Sequence, residues 1–313
     1  ERALAQIDAI HRLIAENPDD LALVLKPSEV APLKESNKTG ILIAVEGGYA
    51  IENDLGLLRS LYRAGARLMT LTHWNRTDWA DASGDERAEL GGLTDFGEQV
   101  VREMNRLGMI VDVSHVHDET FWDVLRVTTV PVVASHSCAR ALSDHFRNMS
   151  DDMLKALAKN GGVIGINFMP GFLNAALDKK QAEVMAEIGR KYGLPANQED
   201  WEKADAALRE KVMAEVRARM AAFEQSIGPV DVKTVVDHID HVVKVTGSAD
   251  HVGLGSDFDG VSGMTPKGLE DVSKYPTLVK GMIEMGYSDE DIRKIMGENL
   301  LRVLRAAERV AEQ

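Results

Sequence analysis

The stretch MIVDVSHVHDETFWDVLRVTTVPVVASHS, Met109 to Ser137, repeats one layout twice: an apolar, β-branched run that stops at a histidine. His115 closes the first run and His136 the second, and Asp118 to Leu125 between them reads as a helix. Two strands joined through a helix are parallel neighbours, so both histidines fall at carboxyl ends of adjacent strands. Open α/β sheets and (β/α)8 barrels alike place their chemistry on that rim.

The same layout extends outward in both directions. ILIAVE, Ile41 to Glu46, is a buried-strand run that ends in a carboxylate and is followed by Gly47 and Gly48. A helix from Asn53 to Ala64, with Leu57, Leu58, Leu61 and Tyr62 on one face, leads to RLMTLTH, a strand closing at His73. Asp95 with Glu98 signals the start of a helix that runs to Leu107 and stops at Gly108. Downstream, Ser150 caps a helix bearing Met153, Leu154 and Leu157, and GGVIGINF is a strand ending in Asn167 and Phe168. A helix from Val232 to Val245 precedes a strand from Val252 to Gly255 that ends at Ser256 and Asp257. Leu278 to Met285, Asp289 to Met296 and Asn299 to Ala311 read as helices with no strand between them.

Strands ending near residues 43, 70, 112, 133, 165 and 254 make six, two short of a closed barrel. The expected fold is α/β, a (β/α)8 TIM-type barrel without its first one or two strands. The chain opens on an amphipathic helix carrying Leu4, Ile7, Ile10 and Leu13, with no initiator methionine. The missing strands and any export signal are therefore expected upstream, and localisation is left open. A single catalytic domain is expected over residues 1–313, interrupted near 171–228 by a charged helical insertion whose Leu208, Val212, Val216, Met220 and Phe223 form one stripe. A lid, a homodimer contact and a passive surface pair are all compatible with that insertion.

Composition narrows the partners. With 36 basic against 50 acidic residues the formal net charge is −14, which opposes nucleic acid and anionic membrane. No apolar run approaches the roughly 20 residues of a membrane span. The lone cysteine, Cys138, excludes an intrachain disulfide and a thiolate-rich structural zinc site.

Glu46, His73, His115, His136 and Asp257 thus close five strands. A lone strand-end histidine is usually packed or solvated, but three imidazoles and two carboxylates on one barrel mouth point to metal. Neutral imidazole and carboxylate are what zinc takes in catalytic sites, and a carboxylate can bridge a pair of ions in two-metal hydrolases. His117 reads as a solvated helix-start residue, and His238 with His241 as packing on a helix that faces away from the rim. Trp74 and Trp79 fit either a pocket wall or a loop anchor.

The motifs VEGG (Val45 to Gly48), LTHWN (Leu71 to Asn75), DVSHV (Asp112 to Val116), ASHSCAR (Ala134 to Arg140), GSDFDGV (Gly255 to Val261) and GLEDVSKYP (Gly268 to Pro276) resemble the membrane (renal-type) dipeptidase family. The resemblance spans most of the chain in order. It implies a barrel with two Zn2+ ions per subunit that hydrolyses dipeptides of the L-Xaa-L-Xaa type, often with tolerance of a D-residue at the carboxyl-terminal position. By motif, Glu46 would bridge the zincs and His115 and His136 would ligate one of them. His73 would polarise the scissile carbonyl or bind the oxyanion, Arg147 would hold the substrate carboxylate, and Asp257 would move the proton. The family takes its remaining ligands from an HxD motif on a first strand, and the expectation is that this chain carries none. A related binuclear amidohydrolase acting on another amide or ester is the competing activity, and a non-catalytic relative is the competing class.

Overall fold

The computed structural model describes residues 1–85, 88–193, 205–261 and 264–311. The chain begins with helix α1 (Arg2–Glu16), strand β1 (Leu21–Leu23), helix α2 (Val30–Glu35) and strand β2 (Thr39–Ile41). The barrel units follow: β3 (Ile43–Glu46), α3 (Leu55–Arg63), β4 (Ala66–Thr70), α4 (Asp95–Leu107), β5 (Ile110–Asp112), α5 (Asp118–Val127), β6 (Val133–Ser137), α6 (Asp151–Asn160) and β7 (Val163–Asn167). After β7 come α7 (Pro170–Leu173), α8 (Ala175–Tyr192), α9 (Ala206–Ile227), α10 (Val232–Thr246) and β8 (Val252–Ser256). The chain closes with α11 (Tyr275–Glu284), α12 (Asp289–Arg293) and α13 (Asn299–Ala311).

Strands β3 to β8 form one parallel sheet in chain order, the six strands expected from the apolar runs. Helices cross between them, as parallel pairing requires, and the architecture is that of an α/β barrel of TIM type with six of its strands. A Cβ on Gly165 or on Gly255 would run into the Ser135 carbonyl, so β6, β7 and β8 close up only because both positions lack one.

The caps are local. Thr94, not Asp95, is the N-cap of α4, accepting from Gly97 N, and Gly108 ends that helix in the left-handed conformation. Ser150 caps α6 as its sequence implies. At the amino ends of the strands, Leu68, Ile110, Val133 and Val163 pack on Val303, Leu304 and Ala307 of α13, so that end of the sheet is sealed.

Three expectations need correction. ILIAVE is broken at Leu42: its first residue belongs to β2, which pairs with β1 in a separate two-stranded sheet that three-residue runs are too short to announce. His73 and His115 do not close their strands: both lie beyond the ends of β4 and β5, in the segments that follow. Of the α1 stripe only Ile7 is buried, while Leu4 and Leu13 are exposed. The insertion stripe folds inward, with Val212, Val216 and Met220 of α9 buried alongside Val184 and Ile188 of α8. Residues 194–204 of that segment lie outside the described residues.

Candidate metal centre

Glu46 ends β3, and the in-register line Glu46, Thr70, Asp112 crosses the carboxyl ends of β3, β4 and β5. One oxygen of Glu46, Oε1, lies 3.2 Å from His115 Nε2 and 3.1 Å from His136 Nε2. Their ligand atoms all fall within 4.8 Å of one another. His73 Nε2 stands 4.0 Å from the same oxygen, and its ring centroid is 4.5 Å from that of His115. Contact with the His115 and His136 imidazoles holds the Glu46 carboxyl well below the usual carboxylate range, so it is charged. Burial pushes His115 down to about 3, so its imidazole is neutral near pH 7. One carboxylate oxygen and two imidazole nitrogens are the donor set that zinc accepts, so these residues fit the ion their types suggested.

Backbone conformation aims two of these groups. His115 and Asp257 both have φ of 65°, a left-handed conformation uncommon for side chains of their size. His115 is held there because its carbonyl accepts from Thr72 Oγ1 at 3.0 Å and Ser83 N at 2.8 Å. The Asp257 carbonyl likewise accepts from Gly260 N and Val261 N, both at 3.0 Å. Asp257 Oδ2 receives a hydrogen bond of 3.2 Å from Asn167 Nδ2, which links the ends of β7 and β8. Burial raises the Asp257 carboxyl above its ordinary value.

Arg147 is not a surface residue. It is 3% exposed, its Nη2 donates to His136 O at 3.2 Å, its guanidinium lies 5.3 Å from the Phe172 ring centre, and its Nε has no hydrogen-bond partner. Among the described residues it makes no ion pair. The cation is felt at His73, His115 and Asp257, which places it on the same mouth.

The remaining candidates separate cleanly. His117 caps α5, its Nδ1 accepting from Glu119 N at 3.3 Å. His238 is buried with Nδ1 accepting from Ala139 N at 3.1 Å and Nε2 at 3.2 Å from Leu173 O, and His241 Nε2 is 2.7 Å from Asp151 Oδ1. The expectation of no HxD is corrected: one His-x-Asp tripeptide, His238-Ile239-Asp240, does occur, but it is a packed segment of α10 away from the three-residue cluster. Cys138 is fully buried and its thiol is pushed up to about 12 by burial. Trp74 stands edge-on to His115 with centroids 5.5 Å apart, whereas Trp79 is buried against Phe96.

Sequence reasoning overlooked two contributors. Tyr49 Oη accepts from His73 N at 3.0 Å and donates to Asn75 O at 2.7 Å, bracing the β4 loop. Asp112 is fully buried, and its signal was available: a carboxylate ending an apolar strand.

The sequence profile of the membrane dipeptidase family (peptidase family M19) matches residues 1–313. Human (Homo sapiens) Dipeptidase 3 is 36% identical over 315 residues, which cover 99% of this chain and 53% of that protein. The chain thus spans about half the length of that relative. The crystal structure of the probable dipeptidase PvdM from Pseudomonas aeruginosa superposes with a TM-score of 0.81 at 29% identity, covering 97% of this chain and 78% of PvdM. A metallo peptidase from Rhodobacter sphaeroides, liganded with a phosphinate mimic of the dipeptide L-Ala-D-Ala, gives 0.72 at 26% identity over 96% of this chain and 73% of its own.

Proposed function

The chain belongs to the membrane dipeptidase family, peptidase family M19, and on that premise we propose that it is a zinc-dependent dipeptidase acting on substrates with a free C-terminal carboxylate. The observation that best supports this reading is a three-ligand cluster beside a buried guanidinium that makes no ion pair among the described residues. In this reading Glu46, His115 and His136 hold zinc, two ions share Glu46, and the substrates are L-Xaa-L-Xaa dipeptides with a D-residue accepted at the carboxyl-terminal position. When bound, zinc supplies Lewis acidity that activates water and polarises a carbonyl near neutral pH.

A buried cation with no direct ion pair among the described residues is costly to fold around, and a carboxylate brought by the substrate offsets that cost. Arg147 presents a planar fork that matches a carboxylate. Because the fork lies a short way from the cluster, only a residue next to the scissile bond could place its carboxylate there, which selects dipeptides. His73, kept neutral by burial, offers a ring N–H to the developing oxyanion. Asp257, whose carboxyl is raised by burial, takes a proton from the attacking water and returns it to the leaving amine.

The test compares dipeptides with their C-terminal amides and measures zinc in the same preparation. The free acids are expected to be cleaved and the amides to react far more slowly. Arg147→Ala should raise KM by about 10- to 100-fold, the range for losing a charged hydrogen bond, with zinc content unchanged. Equal turnover of acids and amides would favour an amidohydrolase of another substrate class. Absence of zinc would overturn the enzymatic reading.

A further inference from the structure

Beneath the three histidines lies a polar network that the proposed chemistry does not use. Asp112 is 0% exposed, yet it forms no salt bridge among the described residues. Its four hydrogen bonds come from Thr70 Oγ1 at 2.6 Å and Ser135 Oγ at 2.6 Å on Oδ2, and from Ser114 N at 3.0 Å and Ser135 N at 2.9 Å on Oδ1. These donors sit at the end of β4, in the turn after β5 and on β6, the three segments that lead to His73, His115 and His136. Ser135 Oγ is also 2.7 Å from His136 Nδ1, and His136 N donates to Ser114 Oγ at 2.9 Å.

Proton counting then settles the direction of each bond. All four contacts bring donors to the Asp112 carboxyl, and Ser135 gives its single hydroxyl proton there. The hydroxyl oxygen is left to accept from His136, whose Nδ1 therefore carries the ring proton. His136 Nε2 is then a bare lone pair directed at Glu46 Oε1, which is a lone pair as well. Two acceptors so placed are matched by a cation between them. His115 has no such support, since its Nδ1 is buried without a partner.

We propose that Asp112, acting through Ser135, is the positioning residue of this centre: it selects the His136 tautomer that leaves Nε2 free for a metal ion, and it ties together the strand ends that carry all three histidines. The proposal rests on the metal-centre reading above. Outer partners of this kind are typically worth 10- to 100-fold in metal affinity.

The experiment titrates the protein with Zn2+ against a chromophoric chelator, comparing the parent with Ser135→Ala, and records long-range 1H–15N spectra of the metal-free histidines. Ser135→Ala should bind Zn2+ about 10- to 100-fold more weakly, and should lose the Nδ1-protonated His136 signal seen in the parent. The thermal midpoint of the metal-free protein should stay close to that of the parent. Asp112→Asn, if it folds, should show the same two changes. Unchanged Zn2+ affinity in Ser135→Ala would overturn the relay alone, as would weaker binding with the tautomer preserved. Failure of the parent to bind Zn2+ would remove the metal-centre reading and the relay with it.

Discussion

Trp74 and Trp79 occupy one polar loop and end in different environments. Trp74 is 37% exposed and stands over His115 and His73, with Phe146, itself 48% exposed, at a centroid distance of 6.4 Å. Trp79 is 1% exposed and belongs to the core. Residue type could not separate them, because both indoles fit a wall or an anchor and only the path of the loop decides which way each turns. In the dipeptidase reading, Trp74 and Phe146 wall the path between the metal ligands and Arg147. Trp74→Ala should then raise KM about 2- to 10-fold for substrates with apolar side chains, in line with aromatic contacts of about 0.5–1.5 kcal/mol, and leave glycyl substrates unaffected. A uniform loss across the KM series would mean that Trp74 only braces the loop. Arg147 shows the same limit from the other side: its motif marked it as a binder, yet a sequence offers no sign that it is buried with no ion pair among the described residues.

Among the elements, α10 docks its His238 on the segments that follow β6 and β7, so that residue turns toward the carboxyl side of the sheet and not away from it as its sequence suggested. Its amphipathic spacing was legible and its histidines were read as packing, which the bonds to Ala139 and Leu173 bear out. Burial lowers His238 from 6.5 to about 4. The folded state therefore resists a proton that the unfolded chain accepts below 6.5. The associated stability is complete above that pH, declines as pH falls from 6.5, and levels off near 4. Urea midpoints measured across this window should fall more steeply for the parent than for His238→Gln, and parallel slopes would show that His238 does not titrate as its burial implies. The pair α8 and α9 was legible as an amphipathic stripe. Its ion pairs, Glu187 with Arg219 at 2.6 Å and Lys191 with Glu215 at 2.8 Å, link residues too far apart in the chain to be paired by inspection. We propose that it belongs to the same domain as the barrel, its buried face being continuous with the main core.

For the whole molecule, curvature of the sheet decides whether strand-end residues become a site. Gly165 and Gly255 permit that curvature, because any Cβ there meets the Ser135 backbone. Gly255→Ala should destabilise the protein by about 1–3 kcal/mol, the usual cost of overpacking a tight contact, seen as a lower denaturant midpoint at an unchanged m-value. An unaltered midpoint would mean that β6 and β8 are free to separate. Alternation of apolar runs with capped helices is local, so the sequence by itself determined the six parallel strands and most helix limits, with Glu46 and His136 on their strands and His73, His115 and Asp257 in the segments just beyond theirs. Only the tertiary structure decided that Glu46 Oε1 faces both His115 and His136, that Asp112 knits Thr70, Ser114 and Ser135 beneath them, and that Arg147 is buried beside them. Those relations join residues of different strands and loops, and their distances follow from how far the sheet curls, which no local pattern encodes.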